Sequence, residues 1–153
     1  MLFEFLVQPI LAFFACIGYA IICNAPRKEI LFCGMNGFIG WLVYLVVYHN
    51  YQHPVTATVI ATVVVTTVAR YLSYYREAPS ILYHIPGVLP LVPGAAVYHT
   101  ITSSLSGQIM ATYSFALTGL KLSGAIGVGS LLVLVLPYQF FSLIPKKKND
   151  PPA

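Results

Sequence analysis

Five runs of apolar residues take up most of this chain, and only short polar stops separate them. They cover residues 2–23, 30–48, 55–74, 81–105 and 120–143. A helix of about 20 residues rises about 30 Å, the thickness of a bilayer's hydrocarbon core. A chain crosses that core only with its backbone hydrogen bonds closed within helices or a barrel. Five such runs in 153 residues leave no length for a separate soluble domain. Charged residues make up only 8%, against about 25% in soluble domains. The 58% hydrophobic content also excludes disorder. The expected fold is an all-α integral membrane protein with five transmembrane helices, the fourth broken by a Pro/Gly segment. Residues 1–145 form a single transmembrane domain and 146–153 a short basic cytoplasmic tail. The third run is rich in Val and Thr, a strand composition in water. Its length and its place between two other spans make it a membrane helix.

The first run lacks a basic segment before it and a small-x-small cleavage site, so it reads as a retained helix rather than a signal peptide. Basic residues orient the spans, because cytoplasmic loops carry the excess of Lys and Arg. Five spans place Arg27, Lys28, Arg70, Arg76, Lys146, Lys147 and Lys148 on one side, leaving Lys121 at the mouth of the fifth run. The N-terminus is therefore expected outside and the C-terminus inside. The net charge of +4 is a topology and headgroup signal, not a nucleic-acid footprint. Residues 107–118 are intermediate in character and predict a short interfacial helix on the outer face.

Small residues mark packing faces. Gly34, Gly37 and Gly40 recur on the second run, and Ser123, Gly124, Gly127 and Ser130 on the fifth. Close backbone approach drives helix association in lipid, within the chain or against a partner. Thr58, Thr62 and Thr66 form an i, i+4 ridge. Their hydroxyls either bond the carbonyl one turn back or line a polar pathway. Cys16, Cys23 and Cys33 match no metal or redox spacing and read as small hydrophobes.

The segment Ile85-Pro86-Gly87-Val88-Leu89-Pro90-Leu91-Val92-Pro93-Gly94 carries the most information. Each proline removes a helical hydrogen bond and clashes with the preceding turn. Broken backbone at membrane depth survives only inside protein or along a cavity, and such breaks recur at transporter sites. A helix restarting at Gly94 would present the amides of Gly94, Ala95 and Ala96 as free donors at a positive helix end, suited to a carboxylate. The candidate substrate site is Pro90, Pro93, Gly94, Ala95 and Tyr98. A structural kink without a ligand is the alternative. His84 and His99 flank the segment as candidates for a polar or proton role, and His49 and His53 sit in a loop. No histidine pair has metal-ligand spacing, so no metal site is expected. The acids Glu4, Glu29, Glu77 and Asp150 all lie near span ends. A carboxylate relay therefore cannot be complete within this chain. No nucleotide, zinc-protease or hydrolase motif is present, so neither enzyme activity nor a cofactor is expected.

Leu89-Pro90-Leu91-Val92-Pro93-Gly94 followed by Tyr98 resembles the signature of the threonine/serine exporter family. The likeness is greatest to its small-subunit form, which resembles the C-terminal half of the fused exporters. Cys23-Asn24-Ala25-Pro26-Arg27 resembles that family's first cytoplasmic loop, and the likeness covers essentially the whole chain. The resemblance implies a bacterial inner-membrane exporter of small carboxylate-bearing metabolites, threonine and serine by name, with succinate associated with a split relative. It also implies a larger multi-span partner subunit. Two other readings stay open, a non-transporting accessory or assembly subunit and a homo-oligomeric channel.

Overall fold

The computed structural model describes residues 2–136, all of them helix, turn or short connection. The helices are α1 (Leu2–Ile22), α2 (Ile30–Tyr51), α3 (Pro54–Arg76), α4 (Ile81–Val88), α5 (Gly94–Leu105) and α6 (Ile109–Leu134). A 3₁₀ turn, Leu89–Leu91, follows α4. α1, α2, α3 and α6 are each long and apolar enough to cross a membrane. The α4–α5 pair, bent by 53°, has the length and apolar character of a fifth, as a broken span or a re-entrant loop. The expected all-helical architecture is observed, with four spanning helices and a bent pair in the place of the broken fourth span.

The first three helices end by one device. Asn24, Gln52 and Glu77 adopt left-handed backbone, with φ of 56°, 55° and 55°. Each is followed two residues later by a proline, Pro26, Pro54 or Pro79. A left-handed residue turns the chain off the helix axis, and a proline just beyond cannot continue the helix. Pro54 then opens α3 at a position where a missing N–H costs nothing.

Packing runs through small residues, as lipid requires. A Cβ at Gly34 would meet Phe13 and Ile17 of α1, and one at Gly37 would meet the Cys16 sulfur. On the neighbouring turn, Gly40 meets Val65 of α3. α4 lies against both α2 and α3, where Gly87 sits against Asn36 and Val65. Gly129 of α6 closes on Thr62 and the Val59 carbonyl. The buried cores are correspondingly lean, Ala20, Cys33, Ala69 and Tyr83 in one, Ala61, Val65, Val88 and Leu91 in the other. Large apolar side chains such as Leu6, Leu11, Phe14, Leu131 and Leu132 point outward.

At the end of the bundle where α3 stops and α4 begins, Glu29 ties three elements. It accepts two hydrogen bonds from Arg76, each 2.7 Å, and one from the Tyr83 hydroxyl at 2.6 Å. The Arg76 guanidinium also stacks 4.5 Å from the centre of the Phe32 ring. The bonds from Arg76 first, and that from Tyr83 as well, hold the Glu29 carboxyl below its ordinary range.

Two expectations need correction. No separate interfacial helix occupies 107–118. Gly107 makes a turn with φ of 69°, and α6 runs unbroken from Ile109. The fifth span therefore begins eleven residues earlier than hydropathy placed it at residue 120. Helix hydrogen bonding tolerates Thr112, Tyr113 and Ser114 when α5 packs alongside, and the Thr112 and Thr118 hydroxyls bond carbonyls one turn back. The stretch after residue 136, including the 146–153 tail, lies outside the described residues.

Candidate functional site

The broken span is built by three prolines whose lost hydrogen bonds each find a substitute. Pro86 cannot donate to Leu82, and the Cys33 thiol does so instead at 3.3 Å. Pro90 cannot donate to Pro86, whose carbonyl accepts the Cys16 thiol at 2.9 Å. Pro93 cannot donate to Leu89, which takes the Val92 amide at 3.2 Å. The two buried cysteines are thus weak donors that cap a broken helix, a role beyond the small hydrophobes that their spacing suggested. Asn36 Nδ2 adds a bond to the Tyr83 carbonyl at 3.0 Å.

Val92 is extended, and the chain restarts as helix at Gly94. The Gly94 amide turns back to the Val92 carbonyl at 2.7 Å, and Val97 donates to Pro93. The amides of Ala95 and Ala96 donate to no group among the described residues. Gly94 and Ala95 are exposed, and a Cβ at Gly94 would meet nothing within 4 Å. Pro93 is buried behind them. Pro90 lines a cavity of about 290 Å³ with Gln8, Leu11 and Trp41, where the Trp41 indole donates to Gln8 at 3.2 Å. Tyr98 is 63% exposed and lies edge-on to His99, which stacks on Phe115 of α6 at 5.0 Å. Pro93, Gly94 and Ala95 therefore lie at the bend and Tyr98 and His99 one turn beyond it, while Pro90 faces Gln8, Leu11 and Trp41.

His84 lies elsewhere. It sits in α4 between α3 and α6, with Thr66 Oγ1 3.4 Å from Nδ1 and Ser130 Oγ 3.5 Å from Nε2. The Thr66 hydroxyl proton is committed to the Thr62 carbonyl at 2.7 Å. Thr66 therefore faces His84 as an acceptor, which assigns the ring proton to Nδ1 and leaves Nε2 to Ser130. All three threonines of the ridge are buried and bonded one turn back. Of the three, only Thr66 also contacts His84 among the described residues.

Sequence reasoning missed the burial of Arg70, counting it only among the basic residues that orient the spans. It is 5% exposed, and its Nη1 donates to the carbonyls of Val133, Leu134 and Leu136 at the end of α6. With Thr66, Ser80, His84, Ile81 and Leu134 it lines a cavity of about 200 Å³. The signal was present, since Arg70 falls inside the third apolar run rather than after it.

Apolar helices packed through glycine and alanine, with one span broken inside the bundle, define a multi-pass membrane protein. The family described as Threonine/Serine exporter, ThrE, matches residues 8–136, and the chain belongs to that family. A threonine/serine exporter from Corynebacterium glutamicum is 24% identical over 115 residues, covering 75% of this chain. That stretch is 23% of the relative, so the match spans about a quarter of its length. No solved structure matches the chain.

Proposed function

We propose that this chain is the smaller subunit of a two-component exporter of small carboxylate-bearing metabolites, threonine and serine or a dicarboxylate such as succinate. The observation that carries the reading is the family match across residues 8–136, which takes in all but the first turns of α1 and every later described helix. The length difference from the C. glutamicum exporter supports a larger multi-span partner. So does the position of the acids, which leaves no carboxylate in the middle of a span. In this reading the chain sits in the bacterial inner membrane with its N-terminus outside and its C-terminus in the cytoplasm, following the basic residues. The bend supplies part of the substrate path. The amides of Ala95 and Ala96 meet a carboxylate at a positive helix end, Gly94 lets it approach, and Tyr98 bonds a second polar group. His99 supplies a polar or proton-carrying group beside the bend, and His84 supplies one away from it, between α3 and α6.

Proteoliposomes test the reading. The chain alone should give no flux of threonine, serine or succinate, and co-reconstitution with the larger subunit from the same membrane should restore it. Robust flux from the chain alone would establish a homo-oligomeric channel instead. Silence with every co-purifying membrane partner would leave an accessory subunit.

A further inference from the structure

We propose that α6 is the docking face for a carboxylate-bearing membrane helix of the larger subunit, with Lys121 as the charge partner and Gly124 and Gly127 as the seat. The inference rests on the two-component reading for the identity of that subunit, whereas the need for a partner comes from Lys121 and its surroundings.

Lys121 is the thirteenth of the 26 residues of α6, so about 18 Å of helix lies on either side of it. Long basic side chains reach the headgroups from near a span's end, and an ammonium at mid-span is costly unless it meets a partner. Lys121 is exposed, and it bonds no group among the described residues. α6 is also the least buried of the four spanning helices. Two of its faces are taken. Ala125, Gly129 and Val133 are buried, with Gly129 against Thr62 and the Val59 carbonyl of α3. Phe115 and Gly119 meet His99 and Ala96 of α5. Lys121, Gly124, Val128 and Leu131 recur at i, i+3, i+7 and i+10, which makes a third face, and all four are exposed. A Cβ at Gly124 or Gly127 would meet nothing within 4 Å, whereas one at Gly37 or Gly129 would strike a neighbouring helix. Close approach at Gly124 and Gly127 is therefore open to a helix from outside the chain.

The position of the acids selects the occupant. The chain has four, Glu4, Glu29, Glu77 and Asp150. Glu29 is engaged by Arg76 and Tyr83, and all four lie near or beyond the ends of spans. A second copy on this face has no mid-span carboxylate to offer, and lipid headgroups stand at the span ends too. An Asp or Glu within a spanning helix of a different polypeptide meets the requirement, and it is the group this chain lacks for a relay. Gly119 lies against Ala96, so that carboxylate would stand beside the bend.

Native membrane vesicles are treated with dicyclohexylcarbodiimide, which joins an amine to a carboxylate in contact with it, and the Lys121 peptide is analysed by mass spectrometry. The expected product is an amide bond from Lys121 Nζ to an Asp or Glu within a spanning segment of a second multi-span protein. That protein is then co-expressed with the full chain and co-purified. Lys121→Leu and Gly124→Val should each lower its recovery at least about fivefold. Lys121→Asp should do the same, and a lysine in place of the partner's linked acid should restore recovery. Variants are compared at equal folded fraction, read in a Cys23→Ser background from the resistance of buried Cys16 and Cys33 to a thiol dye. An adduct to Glu4 or Asp150 of another copy would overturn the proposal in favour of self-association. An adduct to a lipid carboxylate alone would overturn it in favour of headgroup contact. So would no adduct at all, or recovery indifferent to Lys121→Leu and Gly124→Val. A pair joined through Lys121 that carries no flux in proteoliposomes would unseat the exporter reading and leave this face standing. Flux from a pair whose recovery ignores both substitutions would unseat the face alone.

Discussion

Tyr83→Phe removes one oxygen from the most fully buried large side chain of the bundle and changes little else in shape. The lost group is the hydroxyl that donates to Glu29 Oε2 at 2.6 Å. A hydrogen bond to a charged acceptor contributes about 1.5–3 kcal/mol net. Glu29 keeps both bonds from Arg76, so the lower half of that range applies, about 2 kcal/mol. That is roughly thirtyfold in the unfolding equilibrium, and about 4–8 °C in midpoint for a chain of this length. Trp41 is the single tryptophan, and its fluorescence during heating of the detergent-solubilised protein reads the midpoint. The pH dependence has a definite sign. The Glu29 carboxyl is held below its ordinary value by Arg76 and Tyr83. A depressed carboxylate contributes stability that is present above its unfolded value and is lost as pH falls through the folded one. The gap between wild type and Tyr83→Phe should therefore hold at neutral pH and shrink in acid, below the usual carboxylate range. Equal midpoints at neutral pH, or a gap that widens in acid, would refute the assignment of Glu29 as an ionised acceptor for Tyr83.

Gly37→Val should cost at least about 1–3 kcal/mol by overpacking against Cys16. Gly124→Val, whose added atoms meet nothing within 4 Å, should stay within about 0.5 kcal/mol in the same melt. Gly94→Val should abolish export at normal levels of folded protein, because the bend has room for the side chain but a ligand approaching the amides of Ala95 and Ala96 would not. Intact export at normal expression would leave the bend a structural kink. Tyr98→Phe should weaken export about fivefold, the equivalent of one hydrogen bond of about 1 kcal/mol, measured as initial efflux rate. Single cysteines placed at His53 and Lys148 should label from opposite sides of the membrane, and labelling from one side would overturn the five-span orientation.

What could be read without coordinates was whatever depends on local chemistry. Apolar runs of spanning length dictate helices in lipid, because no other open structure closes its own hydrogen bonds there. Glycine at Gly34, Gly37 and Gly40 announced a close helix face, and Pro86, Pro90 and Pro93 announced the break, since a missing N–H has the same consequence in any fold. Hydropathy failed at residues 107–118 because the hydroxyls of Thr112 and Thr118 vanish into their own helix. A scale that scores each residue alone charges them as exposed polar groups.

Tertiary structure decided whatever depends on residues distant in sequence. Cys16 and Cys33 cap carbonyls 70 and 49 residues away, so nothing near them in the chain marks their role. The same holds for Arg70, whose partners at the end of α6 lie 63 to 66 residues further on. The sequence by itself determined that one span must break and that its orphaned backbone must be satisfied. Only the packing of α1 and α2 against that span decided which side chains satisfy it. The energetic demand is local, but donors that meet it through space can come from any helix that approaches closely enough.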